Sequence, residues 1–124
     1  MNNRRVLIVD DDTTVSETLA KHLTEHGAIP EIVLSYQDGI AALKKNVPDV
    51  AIIDLMLPEH SGVQLVKEMK ELAGRTFFVI LTNSMNAEAL AKSADVEIPL
   101  ILQKADHDPA EIVRLIAEHF PQST

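Results

Sequence analysis

The 124-residue sequence predicts an α/β fold, a parallel sheet covered by helices on both faces. Three observations predict it. Short apolar runs rich in β-branched residues alternate with longer amphipathic stretches along the whole chain. The strongest runs lack polar alternation, as strands buried on both faces require. Acidic and polar residues stand directly after the runs, at the strand ends where such sheets collect ligands.

The elements follow in order. Val6-Leu7-Ile8-Val9 is the first strand, and Val15, Leu19 and Leu23, spaced by four, mark a helix that Gly27 stops. Asp12 and Thr14 are cap formers at its start, and Thr14 with Glu17 fits a capping box. Residues 31–34 make a weaker strand, and Ile40-Ala41-Ala42-Leu43 a short helix. Val50-Ala51-Ile52-Ile53 is the third strand. Leu65, Val66, Met69 and Leu72 form a helical stripe starting near Gly62 and stopping near Gly74. Phe77-Phe78-Val79-Ile80-Leu81 is the fourth strand, residues 87–94 a short helix, and residues 100–102 the fifth strand. Ile112, Leu115, Ile116 and Phe120 line the last helix, which opens at Pro109 and ends at Pro121. Five strands alternating with five helices imply right-handed βαβ crossovers.

Composition narrows the function. Eleven Lys and Arg against nineteen Asp and Glu give a net charge of −8, which argues against nucleic acid or an anionic membrane as main partner. With no Cys, disulfides, thiolate metal sites and cysteine nucleophiles are excluded. Between Arg5 and Asp10 stand only four apolar residues, too few for a signal-peptide core or a membrane span. A single domain over residues 1–124 in the cytoplasm is the expectation.

The strand ends carry the chemistry. Asp10-Asp11-Asp12 follow the first run, Asp54 the third, Thr82-Asn83 the fourth and Gln103-Lys104 the fifth. Carboxylates gathered at one sheet edge repel one another and call for a proton or a hard cation such as Mg²⁺. A cation beside them makes room for a phosphoryl group, whose oxygens Lys104 and Thr82 are suited to meet. An Asp carboxylate is itself a competent nucleophile.

Val6-Leu7-Ile8-Val9-Asp10-Asp11-Asp12, Ile53-Asp54-Leu55-Met56-Leu57-Pro58 with Gly62, Leu81-Thr82 and Lys104 resemble the CheY-like receiver domain of two-component response regulators, in order and over essentially the whole chain. The resemblance implies a flavodoxin-like (βα)5 fold with strand order 2-1-3-4-5. It implies Asp54 as phosphoacceptor, served by a phosphohistidine on a histidine kinase or histidine phosphotransfer protein. Mg²⁺ would be held by Asp10, Asp11, Asp54 and the backbone carbonyl of Met56. Thr82 and Lys104 would each contact a phosphoryl oxygen. Output would pass to a downstream protein through the fourth helix, fifth strand and fifth helix, and a homodimer is compatible with this. The chain would not be an enzyme beyond self-catalysed transfer to Asp54 and its hydrolysis.

The sequence departs from the family pattern at three places. Ile101 stands where an aromatic residue is usual, Ala105 where Pro follows the lysine, and Asn83 where Ala or Gly follows the threonine. These predict an altered switch, a differently shaped loop over residues 104–108 and a bulkier approach to Asp54. Two other functions stay open. Asp10-x-Asp12-x-Thr14, Thr82 and the lysine also resemble a haloacid-dehalogenase phosphatase, with Asp10 as nucleophile and Asp12 as acid/base. A degenerate receiver that binds a partner without phosphorylation is the other. His22 and His26, four apart, are spaced for a shared metal but read as a solvated helix end; His60 reads as a loop residue.

Overall fold

Alternate residues of the central strands feed two separate cores, one on each face of a five-stranded parallel sheet. The computed structural model describes residues 1–57 and 61–120. The strands are β1 (Arg5–Val9), β2 (Ile29–Val33), β3 (Val50–Ile53), β4 (Phe77–Thr82) and β5 (Leu100–Gln103). The helices are α1 (Thr13–Glu25), α2 (Tyr36–Lys45), α3 (Gly62–Leu72), α4 (Ala87–Ser93) and α5 (Pro109–His119). Strand order is β2-β1-β3-β4-β5, the flavodoxin-like order expected.

Leu7, Val9, Ala51, Ile53, Phe78 and Ile80 point to the face covered by α2, α3 and α4. Val6, Ile8, Val50, Ile52, Val79 and Leu81 point the other way, against Leu19 and Leu23 of α1 and Ile112, Val113 and Ile116 of α5. This two-sided burial is why the runs show no polar alternation. It also fixes register, since a one-residue slip would exchange the two cores.

Element ends follow from local chemistry. Asp12 caps α1 by accepting from the Val15 N–H at 3.3 Å, so Thr14 lies inside the first turn and the expected Thr14–Glu17 capping box does not form. Gly27, at φ +84°, ends α1 as expected. Its N–H donates to the Thr24 carbonyl at 2.9 Å, while the Ala28 N–H reaches back to Leu23 at 3.0 Å, the paired bonds of a Schellman stop. Strand β2 begins at Ile29, two residues before the expected start, with Pro30 inside it. An edge strand permits this, because the Ile29 N–H pairs with Arg4 at 2.8 Å and the Pro30 nitrogen faces the open side. Helix α2 starts earlier than expected because Ser35 caps it, accepting from Asp38 at 3.1 Å. Gly39 looks like a breaker but sits in α2 against Val9 and Met69, where a methyl would meet Val9 at 3.2 Å. Helix α5 opens at Pro109 as expected, with Asp108 as its cap, and the expected stop at Pro121 falls outside the described residues. No helix is long and apolar enough to cross a membrane among the described residues.

Helices α2 and α3 are tied by a hydrogen bond from the Tyr36 hydroxyl to the Glu68 carboxylate. Burial, then this bond and the charge of Glu68, push the phenol up to about 12. The resulting stabilisation is fully present below the ordinary tyrosine range and is lost as pH rises through the folded value. Tyr36 is the sole Tyr and there is no Trp, so phenolate absorbance reports it alone. Glu68→Gln should return its midpoint toward the ordinary 10.0; identical titrations of variant and wild type would remove Glu68 as a cause.

Candidate functional site

β1 and β3 are adjacent, and their last residues, Val9 and Ile53, are register partners, so Asp10 and Asp54 emerge side by side. Their backbones are anchored: the Asp54 N–H donates to Val9 at 2.9 Å and the Asp10 N–H to Val33 at 3.1 Å. Both side chains are buried, whereas Asp11 is exposed. Carboxylate oxygens of Asp10, Asp11 and Asp54 lie within 4.8 Å of one another, the one such cluster among the described residues.

Lys104 bridges the two buried acids. Its Nζ lies 2.8 Å from Asp10 Oδ2 and 3.2 Å from Asp54 Oδ2. The remaining oxygens turn to backbone: Asp10 Oδ1 accepts from the Asp12 N–H at 2.9 Å and Asp54 Oδ1 from the Met56 N–H at 3.1 Å. Burial holds the Asp10 carboxyl above the usual carboxylate range, with repulsion from Asp54 adding and Lys104 and the Asp12 N–H opposing. Burial alone would lower the Lys104 ammonium, but its contacts with Asp10 and Asp54 outweigh this and raise it.

Thr82 closes β4, fully buried, paired in register with Gln103 at the end of β5. Its Oγ1 accepts from the Ser84 N–H at 3.1 Å, and Gln103 Nε2 donates to the Ser84 carbonyl at 2.8 Å. On the other side of Asp54, Gly62 opens α3 where a Cβ would stand 2.2 Å from the Asp54 carbonyl oxygen and 2.7 Å from Leu55 Cα. Only a residue without a side chain lets α3 approach this backbone.

The structure brings Asp10, Asp11, Asp54 and Lys104 together, with Met56 bonded to Asp54 and Thr82 on the neighbouring strand. Ile101 is half-buried against the core on the α4 side. No cis peptide occurs among the described residues, and Lys104–Asp106 forms a 3₁₀ turn before Asp108 caps α5. Asn83 is exposed. His22 lies 3.8 Å from Glu25 and joins no metal-ligating cluster among the described residues. Pro58 and His60 lie outside the described residues. Sequence reasoning did not single out Ser84 and Gln103 as partners of Thr82. Their bonds run through the Ser84 backbone, and a backbone contact leaves no residue-type signal. Asp12, the acid/base of the phosphatase alternative, is instead engaged in capping α1.

The family model for the response regulator receiver domain matches residues 6–117. The acid tolerance regulatory protein ActR of Rhizobium meliloti (strain 1021) is 33% identical over 107 residues, 77% of this chain and 55% of that protein. The response regulator MprA of Mycobacterium sp. (strain KMS) is 32% identical over 81 residues, covering 63% of this chain and 34% of MprA. The chain thus spans about half the length of the first curated relatives it matches. A CheY-like receiver domain from Methanospirillum hungatei JF-1 superposes with TM-score 0.86 at 24% identity, over 96% of this chain and 94% of that one, a likeness of fold.

Two substitutions test this geometry. Lys104→Met strands two buried carboxylates and should cost about 3–5 kcal/mol at neutral pH without divalent cations. The Lys104 contribution is complete below the ordinary lysine range and is lost as pH climbs through its raised value. The penalty should shrink in acid as the Asp10 carboxyl, held above the usual carboxylate range, takes up its proton. Urea unfolding at several pH values reads this, and a pH-independent penalty would contradict the bridge. Gly62→Ala should cost about 1–3 kcal/mol by forcing α3 off the Asp54 backbone; an unfolding midpoint equal to wild type would refute that close approach.

Proposed function

The chain belongs to the response regulator receiver domain family, and on that premise we propose that it accepts a phosphoryl group on Asp54 with Mg²⁺ at the carboxylate cluster and signals by altered protein–protein contacts. The observation that supports this most directly is the shared ammonium: Asp10 and Asp54, buried acids from neighbouring strands, meet on Lys104 with Asp11 beside them. A receiver domain is not a classical enzyme; the chemistry proposed here is self-catalysed transfer to Asp54 followed by hydrolysis.

The donor would be a phosphohistidine on a histidine kinase or histidine phosphotransfer protein. An Asp54 oxygen attacks phosphorus, the P–O bond forms as the P–N bond breaks, and the imidazole leaves with the electron pair. The chain's own groups serve by position. Backbone N–H groups hold Asp10 and Asp54 in fixed rotamers, and Lys104 and Thr82 offer donors to phosphoryl oxygens. Hydrolysis returns Asp54 as water replaces the carboxylate on phosphorus.

The donor set fits Mg²⁺. Its ligands would be Asp10, Asp11, Asp54 and the Met56 backbone carbonyl, all hard oxygens, and the 4.8 Å spread of the carboxylate oxygens suits one small cation completed by water. When bound, Mg²⁺ would neutralise the carboxylates and polarise the phosphoryl oxygens.

We take residues 1–124 as a single receiver unit acting in the cytoplasm, with output through α4, β5 and α5 to a downstream protein or a second copy. The usual aromatic of that surface is Ile101 here, so the change there must travel by another route. The phosphatase alternative leaves Asp54 without a role, although Asp54 shares the Lys104 ammonium with Asp10.

Incubation with acetyl phosphate and Mg²⁺ followed by intact mass should show one added phosphoryl on wild type and none on Asp54→Asn. Equal mass gain in both would remove Asp54 as acceptor. Sustained turnover of a phosphomonoester that Asp10→Asn abolishes would instead install the phosphatase chemistry.

A further inference from the structure

The loop that follows β4 is held from two sides. Ser84 gives its N–H to Thr82 Oγ1 at 3.1 Å, and its carbonyl receives Gln103 Nε2 at 2.8 Å. One short backbone unit therefore joins the buried Thr82 hydroxyl to a side chain at the end of β5. Gln103 immediately precedes Lys104, whose ammonium contacts Asp10 and Asp54. Two consecutive residues of one chain segment thus reach the two sides of the site. Lys104 reaches the acids, and Gln103 reaches the loop that carries Thr82's partner.

The alternation along β5 explains why Gln103 is placed for this. Residues two apart share a face of a strand, so Gln103 lies on the α4 side together with Ile101. Ile101 packs among apolar side chains and offers no polar atom to Thr82 or its loop. The side-chain amide of Gln103 is the polar group on that face of β5 that reaches the loop after β4.

We propose that Gln103 is a positioning residue for phosphoryl recognition: its amide latches the Ser84 carbonyl, and the Ser84 N–H in turn fixes the Thr82 oxygen. Because that oxygen accepts from Ser84, the hydroxyl hydrogen is left to donate to an incoming phosphoryl oxygen. Loss of the latch frees the loop, so Thr82 must be ordered at the moment of binding, at an entropic cost. Any shift of the Thr82 oxygen toward a phosphoryl group pulls Ser84 and, through it, Gln103 and β5. This supplies a route from the site to β5 that needs no aromatic ring. The latch rests on the reading of Thr82 as a phosphoryl contact.

The test compares wild type with Gln103→Met, of similar length without a donor, and Gln103→Glu, isosteric without a donor at neutral pH. Circular dichroism first establishes that each is folded. Beryllofluoride with Mg²⁺ is then titrated as a phosphoryl mimic, followed by backbone and side-chain amide NMR. Wild type should show the Ser84 amide and the Gln103 side-chain amide shifting at the same occupancy as the amides around Asp54. Gln103→Met should bind Mg²⁺ alone with wild-type affinity, because it leaves both the carboxylate ligands and the net charge untouched. Both variants should bind beryllofluoride about three- to tenfold more weakly, the worth of one partly buried hydrogen bond.

In both variants the beryllofluoride response should persist around Asp54 and fade along β5. Equal beryllofluoride affinity in all three proteins, tighter binding by the variants, or a loss confined to Gln103→Glu overturns the latch while leaving Asp54 as acceptor. Wild type that binds Mg²⁺ yet shows no beryllofluoride response overturns the phosphoryl reading and the latch with it.

Discussion

Two carboxylates and one ammonium withdrawn from water at a single end of the sheet form the constraint on which the rest of the structure turns. Buried charge is costly unless each group finds a partner and its remaining lone pairs find donors. Here every oxygen of Asp10 and Asp54 has one: Lys104 takes one oxygen of each acid, and a backbone N–H takes the other. The arrangement requires β1 and β3 to end at one level and β5 to deliver the lysine. A parallel sheet in the order β2-β1-β3-β4-β5 meets that requirement, because all its strands run the same way.

The backbone solves the problem three times in the same manner. After β1, Asp10 accepts from the N–H two residues on; after β3, Asp54 does so; after β4, Thr82 does so. Each is a side-chain turn in which a polar residue satisfies the N–H that leaves the strand. The bond that caps the departing chain also fixes the rotamer of the group the site needs. Gly62 belongs to the same design, since its missing side chain lets α3 press on the carbonyl of Asp54 from behind. Preorganisation is thus built into the way each strand terminates, and rigid strand ends position groups better than free loops.

Much of this was legible in the sequence, for reasons that differ by residue. Val6–Val9, Val50–Ile53 and the run after Phe77 announced themselves because two-sided burial leaves no polar residue within them. Asp10, Asp11 and Asp54 were conspicuous because acids rarely follow buried runs unless something compensates them. The edge strand was harder. Pro30 in β2 breaks the pattern, and only knowledge of which side of β2 is unpaired makes it acceptable. Helix α2 was foreshortened because its apolar run begins only at Ile40, whereas the Ser35 cap starts the helix at Tyr36 and Gly39 packs closely against Val9 and Met69. Thr14 and Glu17 illustrate the opposite error, a capping signature two residues inside a helix already capped by Asp12. The link from Thr82 to Gln103 left no trace, since it passes through the Ser84 backbone, which any residue would supply.

The local charge balance bears on how the same groups, which hold the resting site, could receive the proposed anion. Three carboxylates face one ammonium, leaving two negative charges uncompensated at the cluster. A phosphoryl group carries roughly −1.5 to −2 at neutral pH, and even after its transfer removes the single charge of the Asp54 carboxylate the cluster would gain negative charge that Lys104 alone could not balance. Without a divalent cation the cluster would repel the group it is proposed to accept. With one, the two spare negative charges would be cancelled and Lys104 would be released from pairing the acids. Its ammonium, 3.2 Å from Asp54, would then stand beside the proposed phosphoryl oxygens with little movement. On that proposal Lys104 occupies a position that a resting site and a phosphorylated one would both need filled. In the resting site the raised pKa that Asp10 and Asp54 impose keeps its charge in place.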